Sequence, residues 1–527
     1  MNNDPNVSAA LRSVVIYAAC AVVSIIIGIL MTNPLTYSSL GFMGILCAVL
    51  LIPILMKWHY PLMILSWSMP VMLFFLKGDP NLFLVMITLS LTATIVERAM
   101  GQKRFISVPQ VTWPLVMLIG AVAITAKLTG GLGLRAFGSD VYGGKKYIFL
   151  VVAILGYFAL ASRPIPPEKA RKYVVLYFAG MLLCAIQDFY TVAPHFLLPL
   201  FWLIPPNGYT IGPNFELGTT RLEGTGAAAA GLMFIMMARY GLRGIFLSGK
   251  LWRPVAFFVS FVLIFLGGFR SAIIGATATF LILFFLEKLQ RTRMLPFMFI
   301  VMLMGAGLVI PLGSKLPFTF QRALCFVPPS VLHLRPDARA QAQDSWDWRV
   351  RMWKALLPEI PKHFWLGKGY AISQEDFDTE MGTGAAIQSS ADASQQALAL
   401  SSDYHNGPLS VVLPFGIWGV IAVVWFLASS LWVMYRNYRY SSPELKSLNA
   451  FLLAMYVTSV IEFYGGSLAT NMSVFTGLLG LSVAINRGVC RKPAEQLNNI
   501  PFSIPFRRRP LRPSLAPHLP LSNRRLN

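Results

Sequence analysis

Fourteen apolar runs follow one another along this chain, and most of them have no place in water: 13–31, 39–56, 61–76, 80–96, 108–126, 147–161, 173–192, 225–240, 254–269, 271–286, 295–313, 408–434, 448–463 and 471–486. A helix that crosses the hydrocarbon core needs about 20 mostly apolar residues. The expected fold is therefore all-α, a polytopic membrane helix bundle with about 12–14 transmembrane helices and one large extracytoplasmic loop. Composition agrees: hydrophobic residues make up 56% and charged residues 13%, about half the charged share of a soluble domain. The pairs 61–76/80–96 and 254–269/271–286 have the shortest links. The run 195–204 is short and ends in Pro205 and Pro206, which suits an interfacial or re-entrant segment. The first run follows Arg12 and no small-residue cleavage site stands out, so it reads as a span rather than a signal peptide.

The formal net charge is +22. No basic, aromatic-interleaved soluble domain accompanies it, so nucleic acid is not an expected partner. Cytoplasmic loops of membrane proteins collect Lys and Arg instead. With the N-terminus inside and the runs alternating, 28 of the 44 Lys and Arg fall inside and 16 outside, most of those 16 in one loop. That arrangement puts both termini in the cytoplasm of a bacterial inner membrane. It puts the loop 314–404 outside, the one large soluble-like segment, and long loops of this kind are usually functional. Three regions result: N-terminal helices 1–220, a core 221–486 that contains the loop, and a basic, Pro-rich tail 487–527 expected to be disordered and to lie against anionic lipid. Cys20, Cys47, Cys184, Cys325 and Cys490 include no C-x-x-C pair, so neither a disulfide framework nor a zinc site is expected.

The residues able to carry chemistry lie on the outer side of this arrangement. Arg270 interrupts an otherwise apolar run just after Gly267 and Gly268. An arginine there is costly unless wet or paired, which suggests function; a guanidinium snorkelling from a helix end is the plainer reading. Arg349 and Arg351 stand in Asp347-Trp-Arg-Val-Arg-Met-Trp353, where helical spacing stacks Arg349 beside Trp353. A surface helix paired through Asp344 or Asp347 is the alternative. Arg221 precedes the run at 225, with Glu223 near enough to pair with it. His405, one of six histidines, sits where the loop returns to the membrane. It is either an interfacial polar residue or a base. Pro408 fits the first turn of the following helix, and Asn406 can cap that helix or orient the imidazole.

His405-Asn406, nine further residues, then Gly416-Ile417-Trp418-Gly419 resembles the signature of the O-antigen ligase and polymerase family. Arg349 with Trp353, followed by Leu366-Gly367-Lys368-Gly369, resembles an upstream stretch of the same family. Arg270-Ser271 resembles the arginine that opens the family's core. The resemblance covers about 221–420. It implies a metal-independent glycosyltransferase, with no cofactor, that takes a glycan from a polyprenyl-diphosphate carrier and passes it to a hydroxyl on a saccharide or lipid-saccharide acceptor. It also implies that Arg270 and Arg349 bind the diphosphate, where a planar fork suits the anion, and that His405 activates the acceptor. Arg221, Arg351, Asn406 and Trp353 are the remaining substrate-binding candidates. The only dense acidic cluster, Glu375-Asp376-Phe377-Asp378, is the one place that could mimic a metal site. Ligases and polymerases share these motifs. A glycan flippase or other transporter is the competing class; it would set ionisable groups near the membrane midplane. The nearest are Glu462 and Asp188, both close to helix ends.

Overall fold

The computed structural model describes residues 57–101, 105–134, 143–207, 221–372 and 404–492, with residue 139 and isolated positions between 14 and 28. Residues 1–490 form one compact unit and 491–527 a second; only 491–492 of the second are described. Among the described residues there is no strand; isolated bridge residues stand at Met72, paired with Asn81, and at Ile372. The protein is an all-α polytopic bundle. Its helices are α1 (Leu82–Ala99), α2 (Pro109–Thr129), α3 (Gly144–Leu160), α4 (Pro167–Ala179), α5 (Glu223–Phe246), α6 (Trp252–Ile264), α7 (Arg270–Leu286), α8 (Met294–Leu312), α9 (Pro336–Leu356), α10 (Leu409–Tyr440), α11 (Pro443–Phe463) and α12 (Leu468–Asn486). Proline opens α2, α4, α9 and α11, where its missing N–H is no loss and its fixed φ suits the first turn.

Eight of the described segments are long and apolar enough to cross a membrane, and the α6 and α7 segments are shorter apolar helices. This is fewer than the expected 12–14, for three reasons, the first being that α3, α6 and α7 form but are each 17 residues or shorter. The run 39–56 and most of 13–31 lie outside the described residues, although the described positions 14–28 are helical. The run 61–76 is not a span. Its helix ends at Ser66, and the chain then passes through turns to α1. Pro70 and Pro80, with Gly78 and Asp79 both at positive φ, bracket that apolar stretch and break it. The short-linked pair 254–269/271–286 survives as two separate helices, α6 and α7.

α12 is the most enclosed span and packs along α3, while the apolar stretch of α8 has no residue buried inside the bundle. α5 carries small residues where neighbours approach. A Cβ on Gly226 would lie 3.1 Å from the Gly267 backbone, and one on Gly231 2.6 Å from the Met181 side chain. In lipid, such close approach drives helices together through van der Waals contact. One end of the bundle is clamped by polar groups. The Asn437 amide donates to Ser482 Oγ and the Gly488 carbonyl, and Asn449 and Asn486 exchange amide hydrogen bonds. Glu287 accepts from Ser447 Oγ and the Arg243 N–H. The first turns of α5, α7, α10 and α12 and the last turns of α6 and α11 meet at the opposite end, where α9 touches the starts of α7 and α10.

Candidate functional site

The site end is built on the α6–α7 turn. A 3-10 turn, Phe265–Gly267, leads into Gly268, whose φ of +66° is a left-handed conformation that a side chain would strain. Phe269 follows, and Arg270 is the first residue of α7. The turn therefore holds the guanidinium at the mouth of the bundle, where it donates to the Ala342 carbonyl of α9 at 3.2 Å. The same groups act on a neighbour: burial pushes the Cys325 thiol up, against the pull of Arg339 and Arg270.

Arg221 lies across this turn. It is buried, its aliphatic stem packs over Gly268, and its guanidinium sits 5.7 Å from the Phe269 ring. The adjacent Leu222 N–H donates to the Leu266 carbonyl at 3.1 Å. Arg221 and Arg270 thus flank one turn, though 49 positions separate them in sequence.

α9 lies over the start of α10. Met352 and Leu356 form a small apolar cluster with Tyr404, Leu409 and Leu413, edged by Trp348 and Trp353. Trp353 Nε1 donates to the Tyr404 carbonyl at 2.9 Å. The Trp348 ring meets the His405 ring edge to face at 5.9 Å. Arg349 is half-buried and lies within one turn of Met352 and Trp353 on this helix. Arg351 is exposed.

His405 has a φ of +43°, rare for a residue with a side chain. Such conformations persist only where the surroundings over-determine them, and they gather at functional sites. Here the flanking residues are fixed on both sides. Tyr404 is fully buried, and its carbonyl is held by Trp353. Asn406 Oδ1 accepts the Leu409 N–H at 3.1 Å and its carbonyl accepts the Ser410 N–H, so Asn406 caps α10. Ser410 Oγ donates to the Gly407 carbonyl and accepts the Leu468 N–H that begins α12. Just past His405 an apolar groove of about 400 Å³ runs between α10 and α11, lined by Pro408, Val411, Val412, Val460, Phe463 and Tyr464 among others.

The glycines of the signature have a structural role. α10 breaks at Gly416, whose φ of +59° and ψ of −158° suit glycine alone. Pro414 lies within the break. The freed groups are taken up by the segment 364–370: Lys368 N–H donates to the Leu413 carbonyl, Gly369 N–H to the Pro414 carbonyl, and Ile417 N–H to the Phe364 carbonyl at 2.7 Å. That segment is anchored in turn by Thr125 Oγ1, which donates to the Leu366 carbonyl, and by the Tyr370 N–H, which donates to the Tyr147 hydroxyl. Burial, with Tyr404 and Tyr147 alongside, pushes the Tyr370 phenol far up.

The structure joins Arg221 to Arg270 around one turn, Arg270 to α9, and α9 to His405. It leaves Arg351 outside these contacts. The Glu375–Asp378 cluster lies outside the described residues. Sequence reasoning missed Trp348 and Tyr404 as neighbours of His405; the helical spacing of Trp348 and Met352 was the available signal. It also treated Asp188 only as an ionisable group near a helix end, whereas its carboxylate bonds the first turn of α5. Residues 255–424 match the family model described as O-antigen ligase. The match takes in Arg270, α9, His405 and the Gly416 break, and begins after Arg221. No curated protein matches the chain.

Proposed function

Since residues 255–424 make this polytopic membrane protein one of the O-antigen ligase/polymerase family, we propose that it transfers a glycan from a polyprenyl diphosphate carrier to an acceptor hydroxyl at the periplasmic face of the bacterial inner membrane. The family supports a glycosyltransferase-type enzyme acting on lipid-linked glycans. The observation that carries the finer reading is the linked set at one end of the bundle: Arg221 and Arg270 around the Gly268 turn, Arg270 bonded to α9, and His405 held in a constrained peptide beneath it.

In the proposed reaction His405 takes the proton from the acceptor hydroxyl. The oxygen attacks the anomeric carbon of the donor sugar. The bond from that carbon to the phosphate oxygen breaks, and its electron pair leaves with the polyprenyl diphosphate. The leaving group gains negative charge, so arginines placed to meet it stabilise the transition state more than the bound donor. Guanidinium forks of Arg270 and Arg349 suit that role, with Arg221 behind them. Charge from arginines replaces charge from a metal in this scheme. The basic residues gathered at the opposite end, among them Arg163, Arg243 and Arg436, support a cytoplasmic placement for that end. The competing transporter reading drew on Asp188 and Glu462. The Asp188 carboxylate is occupied by backbone N–H groups, which argues against its carrying a transported ion.

A gene deletion in the native host tests the proposal. Cells without the protein should accumulate polyprenyl-diphosphate-linked glycan on the periplasmic side and lose the finished glycoconjugate. Wild-type protein should restore it, and His405→Ala should not. Accumulation confined to the cytoplasmic side would indicate failed translocation and overturn the transferase reading.

A further inference from the structure

Asp188 is the one charged residue between Tyr173 and Val192. The α4 segment, Pro167–Val192, passes through 3-10 turns near its end, and Asp188 lies there with 8% of its surface exposed. A carboxylate at that depth is costly unless it is hydrogen-bonded. Its partners lie 36 and 37 positions along the chain: Oδ1 accepts the Gly224 N–H at 3.1 Å, and Oδ2 accepts the Thr225 N–H at 2.6 Å and the Thr225 hydroxyl at 2.8 Å. These N–H groups belong to the first turn of α5, whose donors have no partner within the helix. The helix dipole also favours a negative charge there. Asp188 thus caps α5 from a different segment of the chain.

The capped turn continues directly into the arginine pair. Arg221 stands three residues before Gly224, with its stem on Gly268 and its guanidinium over Phe269. Leu222 is bonded to Leu266. Two residues after Gly224, Gly226 meets Gly267 so closely that an added Cβ would come within 3.1 Å of its backbone. The start of α5 is therefore pinned on one side by Asp188, while its other side bears on the turn that presents Arg270. We propose that Asp188 is a positioning residue that sets Arg221 and the Arg270 turn for binding the diphosphate of the donor. The inference rests on the reading of these arginines as diphosphate ligands.

Binding of two probes by the purified full-length protein tests it. Undecaprenyl diphosphate and undecaprenyl monophosphate are titrated into wild type, Asp188→Ala, Asp188→Asn and Arg270→Ala, with thermal unfolding followed in parallel. A correctly set arginine pair favours the diphosphate over the monophosphate. Asp188→Ala should weaken diphosphate binding about tenfold and shrink the preference by a similar factor. Asp188→Asn keeps the shape and one acceptor oxygen, so it should fold and lose about threefold. If Asp188→Ala does not fold, the Asn variant alone decides. A cap with only a structural role would lower the unfolding temperature and leave the preference at its wild-type value; that result overturns the inference. Should Asp188 variants bind normally while Arg270→Ala binds weakly, the positioning role fails and the arginine reading stands. Normal binding by Arg270→Ala overturns both.

Discussion

Arg270 separates a fork from a point charge. Its guanidinium reaches one side to the Ala342 carbonyl, which leaves further N–H groups of a five-donor head for a ligand. Lysine keeps the charge and loses the planar pair of donors. Arg270→Lys and Arg349→Ala should each slow transfer by about 10²–10³-fold, the usual effect of removing one donor that meets developing charge, while membrane insertion is unchanged. Full activity in Arg270→Lys would show that the diphosphate needs no fork there. Arg351 is exposed on the same helix, and Arg351→Ala should stay within about threefold of wild type in the same assay. At this scale residue type and spacing single out His405, Asn406, Arg270 and Arg349 as candidates. The sequence was silent on the partners of Trp348 and Asp188, which are set by packing between segments that only the folded bundle brings together.

The break in α10 is the element on which the signature glycines act. An alanine at Gly416 would hold a strained backbone and place its Cβ 2.6 Å from the Phe364 carbonyl oxygen. Gly416→Ala should destabilise the protein by about 1–3 kcal/mol and release the 364–370 segment from Leu413 and Pro414, read as a lower unfolding temperature together with reduced transfer. Gly305 in α8 is the control: nothing lies within 4 Å of its added Cβ, so Gly305→Ala should leave stability unchanged or raise it slightly. Equal losses at both positions would mean that the break is not special. The spacing of nine residues between His405-Asn406 and Gly416 was legible in the sequence, but its physical content was not. The glycine is needed because another backbone segment enters the helix there. The same gap explains the failure at 61–76, where hydropathy counted apolar residues although the helix ends at Ser66, four residues before Pro70.

Over the whole molecule, apolar run length was enough to give the all-α bundle, because lipid leaves the backbone few other choices. Orientation is the whole-molecule property that charge predicts. A reporter fused at Gly384 should be active only as a periplasmic fusion, and one fused after Cys490 only as a cytoplasmic one; the reverse pattern would place the arginines and His405 on the wrong side for an exported glycan. The central claim is that His405 draws the proton in a transfer between lipid-linked and acceptor glycans, and the rate of polyprenyl diphosphate release by the purified protein, measured against pH, tests it most directly. A histidine base works only when neutral, so the wild-type rate should rise with pH through the imidazole range and then level off. His405→Ala should fall by about 10²–10⁴-fold and lose that rise. A His405→Ala enzyme with the wild-type rate and the same pH profile would contradict the account.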